Sequence, residues 1–117
     1  MPELLTFAET SVFTRRIGAL GLEESLRGLQ LELLDNPKAG DIDPGTGGLR
    51  KIRLGDPTRG KGKRGGARVH YLWLPHRSRI YLMLVYSKNE ASTLTADQKK
   101  KLREIVAQIK ATDSPKK

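Results

Sequence analysis

The chain has 117 residues, of which 37% are hydrophobic, and a net charge of +9, so it is long and apolar enough for one compact domain with a core. It contains no cysteine and only two histidines, which argues against disulfides, thiolate metal sites and a structural zinc site. No apolar run is long enough to span a bilayer and the N-terminus does not resemble a signal peptide, so we expect a cytoplasmic protein with no membrane segment and no cofactor.

The positive charge is concentrated in the middle and at the end of the chain. Residues 1–43 contain 4 Lys/Arg against 8 Asp/Glu, residues 44–90 contain 11 against 2, and residues 91–117 contain 7 against 3. Such an excess is typical of a protein with a polyanionic partner, most often nucleic acid. A solubilising surface is the alternative interpretation.

The first 36 residues predict one strand followed by two helices. The apolar run 4–8 fits a short edge strand, and Thr10 or Ser11 fits the N-cap of a helix that Gly21 ends. The second helix carries leucines at i, i+4, i+7 and i+11, which places them on one face. These are Leu22, Leu26, Leu29 and Leu33.

After residue 36 the pattern changes from helix to strand. The segment NPKAGDIDPGTGG (36–48) is too polar and too rich in glycine for a core element, so it predicts a turn-rich connector. Three strands are predicted next, at LRKIRL (49–54), ARVHYLWL (67–74) and IYLMLVYS (80–87). The third is apolar on both faces, as a buried central strand is.

A last helix begins after Thr95, which forms a capping-box pattern with Gln98. The tail from about residue 112 is expected to be frayed. Residues 1–117 therefore predict a single α+β domain, with the helices on one face of a mostly antiparallel sheet. The other face of the sheet is then left for function.

Basic residues occupy one face of the first two long strands. Alternation places Lys51 and Arg53 on one face, and Arg68 shares a face with His70. If the basic faces align, Lys51, Arg53 and Arg68 converge without carboxylate partners, and a phosphodiester would relieve their repulsion. A solvated sheet face is the alternative. His70 is more typical of a packing or hydrogen-bonding residue than of a catalyst, and Tyr71, on the opposite face, is more typical of the core.

Four segments in the same order resemble the RelE/HigB-like toxins of bacterial type II toxin–antitoxin pairs, and most of all the HigB branch. They are NPKAGDIDPGTGGLRKIRL, GKGKRGGARVHYLWL, YLMLVYSKNE and LTADQKKKL. The resemblance implies an α+β fold with a curved, mostly antiparallel sheet, two N-terminal helices on one face and a C-terminal helix. It implies a metal-independent mRNA interferase that cuts mRNA in the ribosomal A site and inhibits translation. The implied partners are mRNA, the 70S ribosome and a cognate helix-turn-helix antitoxin.

The resemblance also implies the residues of the site. The catalytic residues would be Lys51 as the base, Arg53 and Arg68 on the phosphate, and Lys88 at the leaving oxygen. The RNA-binding residues would be Arg50, Lys61, Lys63, Arg64, Tyr86 and Asn89. In this interpretation the glycine-basic segment GKGKRGGAR (60–68) is a mobile loop between two strands whose cations meet RNA phosphates.

The sequence departs from its relatives in one functional respect. Some relatives place a Tyr or His near the end of the chain, whereas no Tyr or His follows Tyr86 here, and Asn89 stands where some relatives have Arg. The general acid is therefore left open. Two alternatives also stay open: a non-catalytic basic module that binds RNA or DNA, and an inactive toxin relative that binds only its antitoxin.

Overall fold

The computed structural model describes residues 4–55, 66–88, 90–91 and 93–112. The elements in chain order are β1 (Thr6–Glu9), α1 (Ser11–Leu20), α2 (Glu23–Asp35), β2 (Asp41–Ile42), β3 (Arg50–Leu54), β4 (Ala67–Leu74), β5 (Arg79–Ser87) and α3 (Ala96–Thr112). A single 3-10 turn, Pro75–Arg77, joins β4 to β5. The predicted α+β class and the predicted elements are confirmed, and the short strand β2 is an addition within the connector.

The five strands form one mixed sheet in the order β1-β5-β4-β3-β2. β1 pairs with β5 in parallel, and the other three pairs are antiparallel. The predicted edge position of the first strand is confirmed, and β5 lies inside the sheet as its two apolar faces indicated. Because β4 has partners on both sides, residues near its start lie close to both β3 and β5.

The first helix begins and ends as the sequence predicts. The Thr10 hydroxyl accepts a hydrogen bond from the Phe13 N–H at 3.1 Å, as an N-cap does. Gly21 ends α1 with a φ of +69°, in the left-handed region that glycine adopts without strain. The predicted row of four leucines, which begins at the N-cap Leu22 and continues along α2, is buried. These two helices therefore present a continuous apolar surface to the sheet.

The sheet separates two hydrophobic cores. α1 and α2 pack on one face against residues such as Val69 and Tyr71. α3 packs on the other face, where Leu102 and Val106 meet Leu72. The prediction that the helices gather on one face was therefore wrong, because alternate residues of β4 are apolar on both faces and each face is covered by a helix.

The last helix starts at the predicted capping box. The Thr95 N–H donates to Gln98 Oε1 at 2.8 Å, and the Gln98 N–H donates to Thr95 Oγ1 at 3.2 Å. α3 extends to Thr112, and the tail beyond it, which the sequence predicts to be frayed, lies outside the described residues. None of the helices in the described ranges has the length and apolar character needed to cross a membrane.

The apolar cluster that contains Leu102 and Val106 of α3 includes Leu49, Leu72 and Leu74, at the start of β3 and the end of β4. The two strands are antiparallel, so the opposite end of the same face carries Arg53 and Arg68. That end is where the predicted cations come together.

Candidate functional site

The register of β3 and β4 brings the predicted cations onto one face. Arg53 lies directly opposite Arg68, and Lys51 lies directly opposite His70. Residues that oppose each other across an antiparallel pair project to the same side, so the predicted convergence of Lys51, Arg53 and Arg68 is confirmed. Arg53 is exposed, Lys51 is half-buried and Arg68 is only 7% exposed.

A groove of about 470 Å³ contains all three cations. Its walls come from the connector, from β3 and from β4: Ala39, Gly40, Asp41, Lys51, Ile52, Arg53 and Arg68. Its volume falls in the range of roughly 300–1,000 Å³ that small-molecule pockets occupy. The groove is therefore large enough for a ribose and its phosphate, and it offers three positive charges to an anion.

Among the described residues that line the groove is a carboxylate, that of Asp41, which the sequence interpretation omitted. Asp41 of β2 lies opposite Lys51 in the β2–β3 register. Within the described residues the ion pairs are Arg16–Glu90, His70–Asp43 and Lys99–Asp43, and none of them includes the three cations of the groove. Asp41 thus lowers the positive field near Lys51 without forming a direct pair with it.

A buried pair of hydrogen-bonded side chains lies beside the groove. His70 is fully buried, and its Nε2 lies 2.8 Å from Oδ2 of Asp43. Lys99 of α3 donates to the other oxygen, Oδ1, at 3.0 Å. Because an ionised carboxylate only accepts, His70 donates through Nε2–H and its Nδ1 keeps a lone pair. The prediction that His70 packs and forms hydrogen bonds is confirmed.

The protonation states of this pair follow from its surroundings. Burial lowers the pKa of His70; the hydrogen bond and charge of Asp43 oppose this, while the charges of Lys51 and Lys99 act in the same direction as burial. Burial acts to raise the pKa of Asp43, but hydrogen bonds from His70 and Lys99 outweigh it and the pKa is lowered. The pair is therefore a neutral imidazole on an ionised carboxylate at neutral pH.

Tyr86 of β5 completes this buried cluster. Its ring stacks on His70 with the centroids 5.7 Å apart and an interplanar angle of 26°, and Tyr86 is 5% exposed. Burial raises the pKa of Tyr86, the charge of Asp43 raises it further, and Arg68 opposes both. One face of the ring is occupied by His70, the hydroxyl is buried, and Tyr86 does not line the groove, so the structure does not bring Tyr86, a predicted RNA-binding residue, to the groove.

Two polar atoms of the stacked rings have no partner within the described residues. They are His70 Nδ1 and the Tyr86 hydroxyl, one an acceptor in this tautomer and the other able to donate. Tyr86 also borders a second, smaller cavity of about 300 Å³. Its lining is Arg16, Leu84, Tyr86, Glu90, Ala91, Leu94 and Gln98.

The cations of α3 hold the connector in place. Three of them donate to consecutive parts of its backbone: Lys99 to Pro44 O at 3.0 Å, Arg103 to Gly45 O at 2.8 Å, and Lys110 to Gly47 O at 3.0 Å. These bonds give the positive face of α3 a structural role, since basic side chains satisfy carbonyl groups that a glycine-rich loop leaves open.

The connector is rich in turns and bends, as predicted, and it also supplies buried polar residues that the sequence did not predict. Asp43 is 7% exposed and Thr46 is fully buried. The Thr46 hydroxyl donates to Asp43 O at 2.7 Å and accepts from the Leu49 N–H at 3.1 Å. Polar groups with partners are buried at low cost, and composition alone does not reveal those partners.

The remaining predicted site residues are not all brought to the groove. Arg50 lies opposite Tyr71, on the face that α1 and α2 cover, and its guanidinium donates to Gly40 O at 2.7 Å. Lys88 is exposed just after β5, and its N–H bonds to Gly66 O at 3.0 Å, which places it beside the start of β4. Lys61, Lys63, Arg64 and Asn89 lie outside the described residues.

Neither a metal centre nor a family match adds to this site. The described parts of the chain contain no group of three or more His, Asp or Glu side chains placed to hold a metal ion. No protein-family model matches the chain. The functional conclusion therefore depends on the groove, its three cations and the buried cluster beside it.

Proposed function

We propose that this chain is the toxin of a type II toxin–antitoxin pair, an endoribonuclease of the RelE/HigB-like kind that cuts mRNA in the ribosomal A site and so inhibits translation. The four segments that resemble those toxins include the strands that form the groove. The finer RelE-like shape of the sheet belongs to the same proposal.

The observation that supports the proposal most is the convergence of Lys51, Arg53 and Arg68 at one groove. Like charges placed directly opposite each other across a sheet destabilise it. A site that binds a phosphodiester gives a reason for that arrangement, because two guanidinium groups hold a phosphate through charge-assisted hydrogen bonds. Cations aimed at charge that develops in the transition state also accelerate the reaction.

In the proposed reaction the RNA supplies its own nucleophile. The 2′-oxygen forms a bond to the adjacent phosphorus as the bond from phosphorus to the 5′-oxygen breaks, which leaves a 2′,3′-cyclic phosphate and a 5′-hydroxyl. Lys51 is the proposed base and takes the 2′-hydroxyl proton. Arg53 and Arg68 bind the phosphate oxygens, and Lys88 stabilises the negative charge on the 5′-oxygen as it leaves. A water molecule supplies the proton that converts this oxygen to the 5′-hydroxyl.

The proposal includes partners and a location. The substrate is mRNA on the 70S ribosome, which lies in the cytoplasm, and a cognate helix-turn-helix antitoxin silences the enzyme by binding to it. The basic residues Lys61, Lys63 and Arg64 would add salt-sensitive contacts to RNA phosphates. A small adjacent gene whose product has a helix-turn-helix pattern would support the assignment of this chain to a toxin–antitoxin pair.

A second candidate is a non-catalytic basic module that binds RNA or DNA through the same groove. One observation favours it: His70 and Tyr86, two titratable rings on this face in the described part of the chain, are both buried, so neither is placed to donate a proton directly. The two functions differ in their response to Lys51→Arg. A binding module keeps its affinity because it needs only the charge, whereas a catalytic lysine is not replaced by a guanidinium that stays protonated.

Primer extension on a defined mRNA tests the proposal. Purified protein is mixed with the mRNA alone and with the mRNA on programmed 70S ribosomes. Cuts that appear only with ribosomes, at A-site codons, support the proposed function. Protein that is folded by circular dichroism but makes no cuts in either mixture contradicts it and leaves the binding module.

A further inference from the structure

The Asp43–His70 pair joins the connector to β4, and both of these segments pair with β3 in the walls of the groove. Asp43 follows β2, whose residues Asp41 and Ile42 pair with Lys51 and Arg50. The Asp43 N–H bonds to Leu49 O at 2.9 Å, which extends that pairing by one more step. The position of Asp43 therefore sets the position of the connector wall of the groove relative to β3.

His70 links this wall to the cations. It lies opposite Lys51 on the same face, and the stacked Tyr86 ring lies opposite Arg68. An imidazole held by its Nε2–H on Asp43 cannot rotate without breaking a buried hydrogen bond, which would leave a buried partner unsatisfied. The fixed imidazole of His70 therefore limits the positions that the side chains of Lys51 and Tyr86 can adopt.

Lys99 fixes the pair from the other side. Its ammonium bonds to Oδ1 of Asp43 at 3.0 Å and to Pro44 O at 3.0 Å. Asp43 thus accepts from a neutral imidazole on one oxygen and from a cation on the other, and the net charge of the cluster stays close to zero. A protonated His70 would add a positive charge beside both Lys51 and Lys99, and this arrangement excludes it at neutral pH.

We propose that the Asp43–His70 pair, fixed by Lys99, is a positioning unit that sets the placement of Lys51 in the groove and of the Tyr86 ring that stacks on His70 beside it. This inference rests on the proposed nuclease function. Neither side chain touches the RNA in this account, since neither is among the residues that line the groove. Their effect appears in the rate of the chemical step, because a displacement of about 1 Å of a catalytic group lowers the rate by about a hundredfold.

The test compares His70→Asn with His70→Gln. The amide nitrogen of Gln reaches the place of Nε2 and still donates to Asp43, whereas the shorter Asn does not reach it. We expect His70→Asn to lower kcat for cleavage of ribosome-bound mRNA by about a hundredfold, with KM changed by less than about threefold, since uniform binding is kept. His70→Gln should recover at least about tenfold of that loss in kcat, in keeping with an effect that acts through geometry. His76→Asn, in the exposed turn before β5, is the matched control with unchanged kcat.

Two further measurements keep the test decisive. If His70→Asn does not fold, Asp43→Asn, which has the same shape without the charge, takes its place with the same expected loss of kcat. In the wild-type protein, two-bond proton–nitrogen NMR should show His70 protonated on Nε2 only. An Nδ1–H tautomer, or a folded His70→Asn with the kcat of the wild type, would overturn the positioning role.

The two proposals fail in different ways. Wild-type protein that is folded and makes no cuts overturns the nuclease function and the positioning role with it. Wild-type protein that cuts, together with a folded His70→Asn that cuts equally fast, overturns only the positioning role. If kcat and the folded fraction fall together in His70→Asn and His70→Gln, the positioning role is also overturned. That result would indicate that His70 has only a structural role.

Discussion

Arg53 and Arg68 lie directly opposite each other on neighbouring strands, with their side chains on the same face of the sheet. Two opposed guanidinium groups repel each other, and in the described residues neither forms an ion pair with a carboxylate. Removal of the exposed Arg53 should therefore leave the fold at least as stable, while binding of an anion at the groove becomes weaker.

Arg53→Ala should change the salt dependence of RNA binding. If Arg53 meets one phosphate, its removal lowers the slope of log K against log salt by about 0.7 for single-stranded RNA. Fluorescence anisotropy with a labelled single-stranded RNA, measured between about 50 and 200 mM salt, gives this slope. Arg27→Ala removes the same side chain from the exposed face of α2 and should leave the slope unchanged. Equal slopes for the wild type and Arg53→Ala would contradict a contact between Arg53 and an RNA phosphate.

Gly40→Ala should distort the groove and lower stability. A Cβ at residue 40 would lie 2.9 Å from Lys51 O and 3.0 Å from Tyr71 Cε1, and the Gly40 N–H donates to the Tyr71 hydroxyl at 2.9 Å. We expect a loss of about 1–3 kcal/mol in the free energy of unfolding, as for other overpacked sites, together with slower cleavage.

Gly28→Ala is the matched control for that substitution. A Cβ at residue 28, on α2, meets no atom of the described residues within 4 Å. Alanine in a helix interior should raise the free energy of unfolding by up to about 1 kcal/mol. Urea titration of both variants gives the comparison; equal effects at the two positions would contradict the close packing of Gly40 against β3.

Stability should fall as the pH decreases through the range in which His70 titrates. The pKa of His70 is lowered from 6.5 in the folded chain. Just below pH 6.5 the unfolded chain therefore binds more protons than the folded chain, and the free energy of unfolding decreases as the pH falls. His70→Gln lacks this titration and should show a smaller change. Asp43 contributes in a separate window, below its ordinary value of 3.8, because its pKa is also lowered. Urea titrations at several pH values between about 5 and 7 test the difference; identical pH dependence in both proteins would contradict a neutral buried His70.

Lys99→Met should loosen the connector from α3. Methionine keeps most of the apolar stem but removes the donor to Asp43 and to Pro44 O. Hydrogen bonds to charged groups contribute about 1.5–3 kcal/mol, so a loss of that order is expected in the free energy of unfolding. Lys100→Met, exposed on the same helix, should change it by less than about 0.5 kcal/mol. Chemical denaturation of the two variants decides whether Lys99 has this role.

The sequence predicts the local elements of this fold well because their signals are local. The leucine row of α2, the N-cap at Thr10 and the capping box at Thr95 each depend on residues within one or two turns. The alternation in β3 and β4 likewise predicts which face carries Lys51, Arg53 and Arg68. The alignment of the two strands, which the sequence left conditional, comes from the register of the folded sheet.

The placement of α3 and the buried cluster could not be predicted in this way. Asp43 and His70 are 27 residues apart in the chain, and Lys99 lies 56 residues from Asp43, so no local pattern joins them. One signal was present: a histidine on a strand with apolar neighbours requires a hydrogen-bond partner when it is buried. A search for that partner among the carboxylates of the connector would have included Asp43.

The most direct test of the central claim is the rate at which Arg68→Ala cuts mRNA on programmed ribosomes. Arg68 is 7% exposed and shares the groove with Lys51 and Arg53, and removal of one donor to a developing charge lowers kcat by about 10²–10³-fold. We expect a loss of that size in a variant that folds like the wild type, with Arg27→Ala unaffected. A folded Arg68→Ala that cuts at the rate of the wild type would contradict the claim that this groove is the nuclease site.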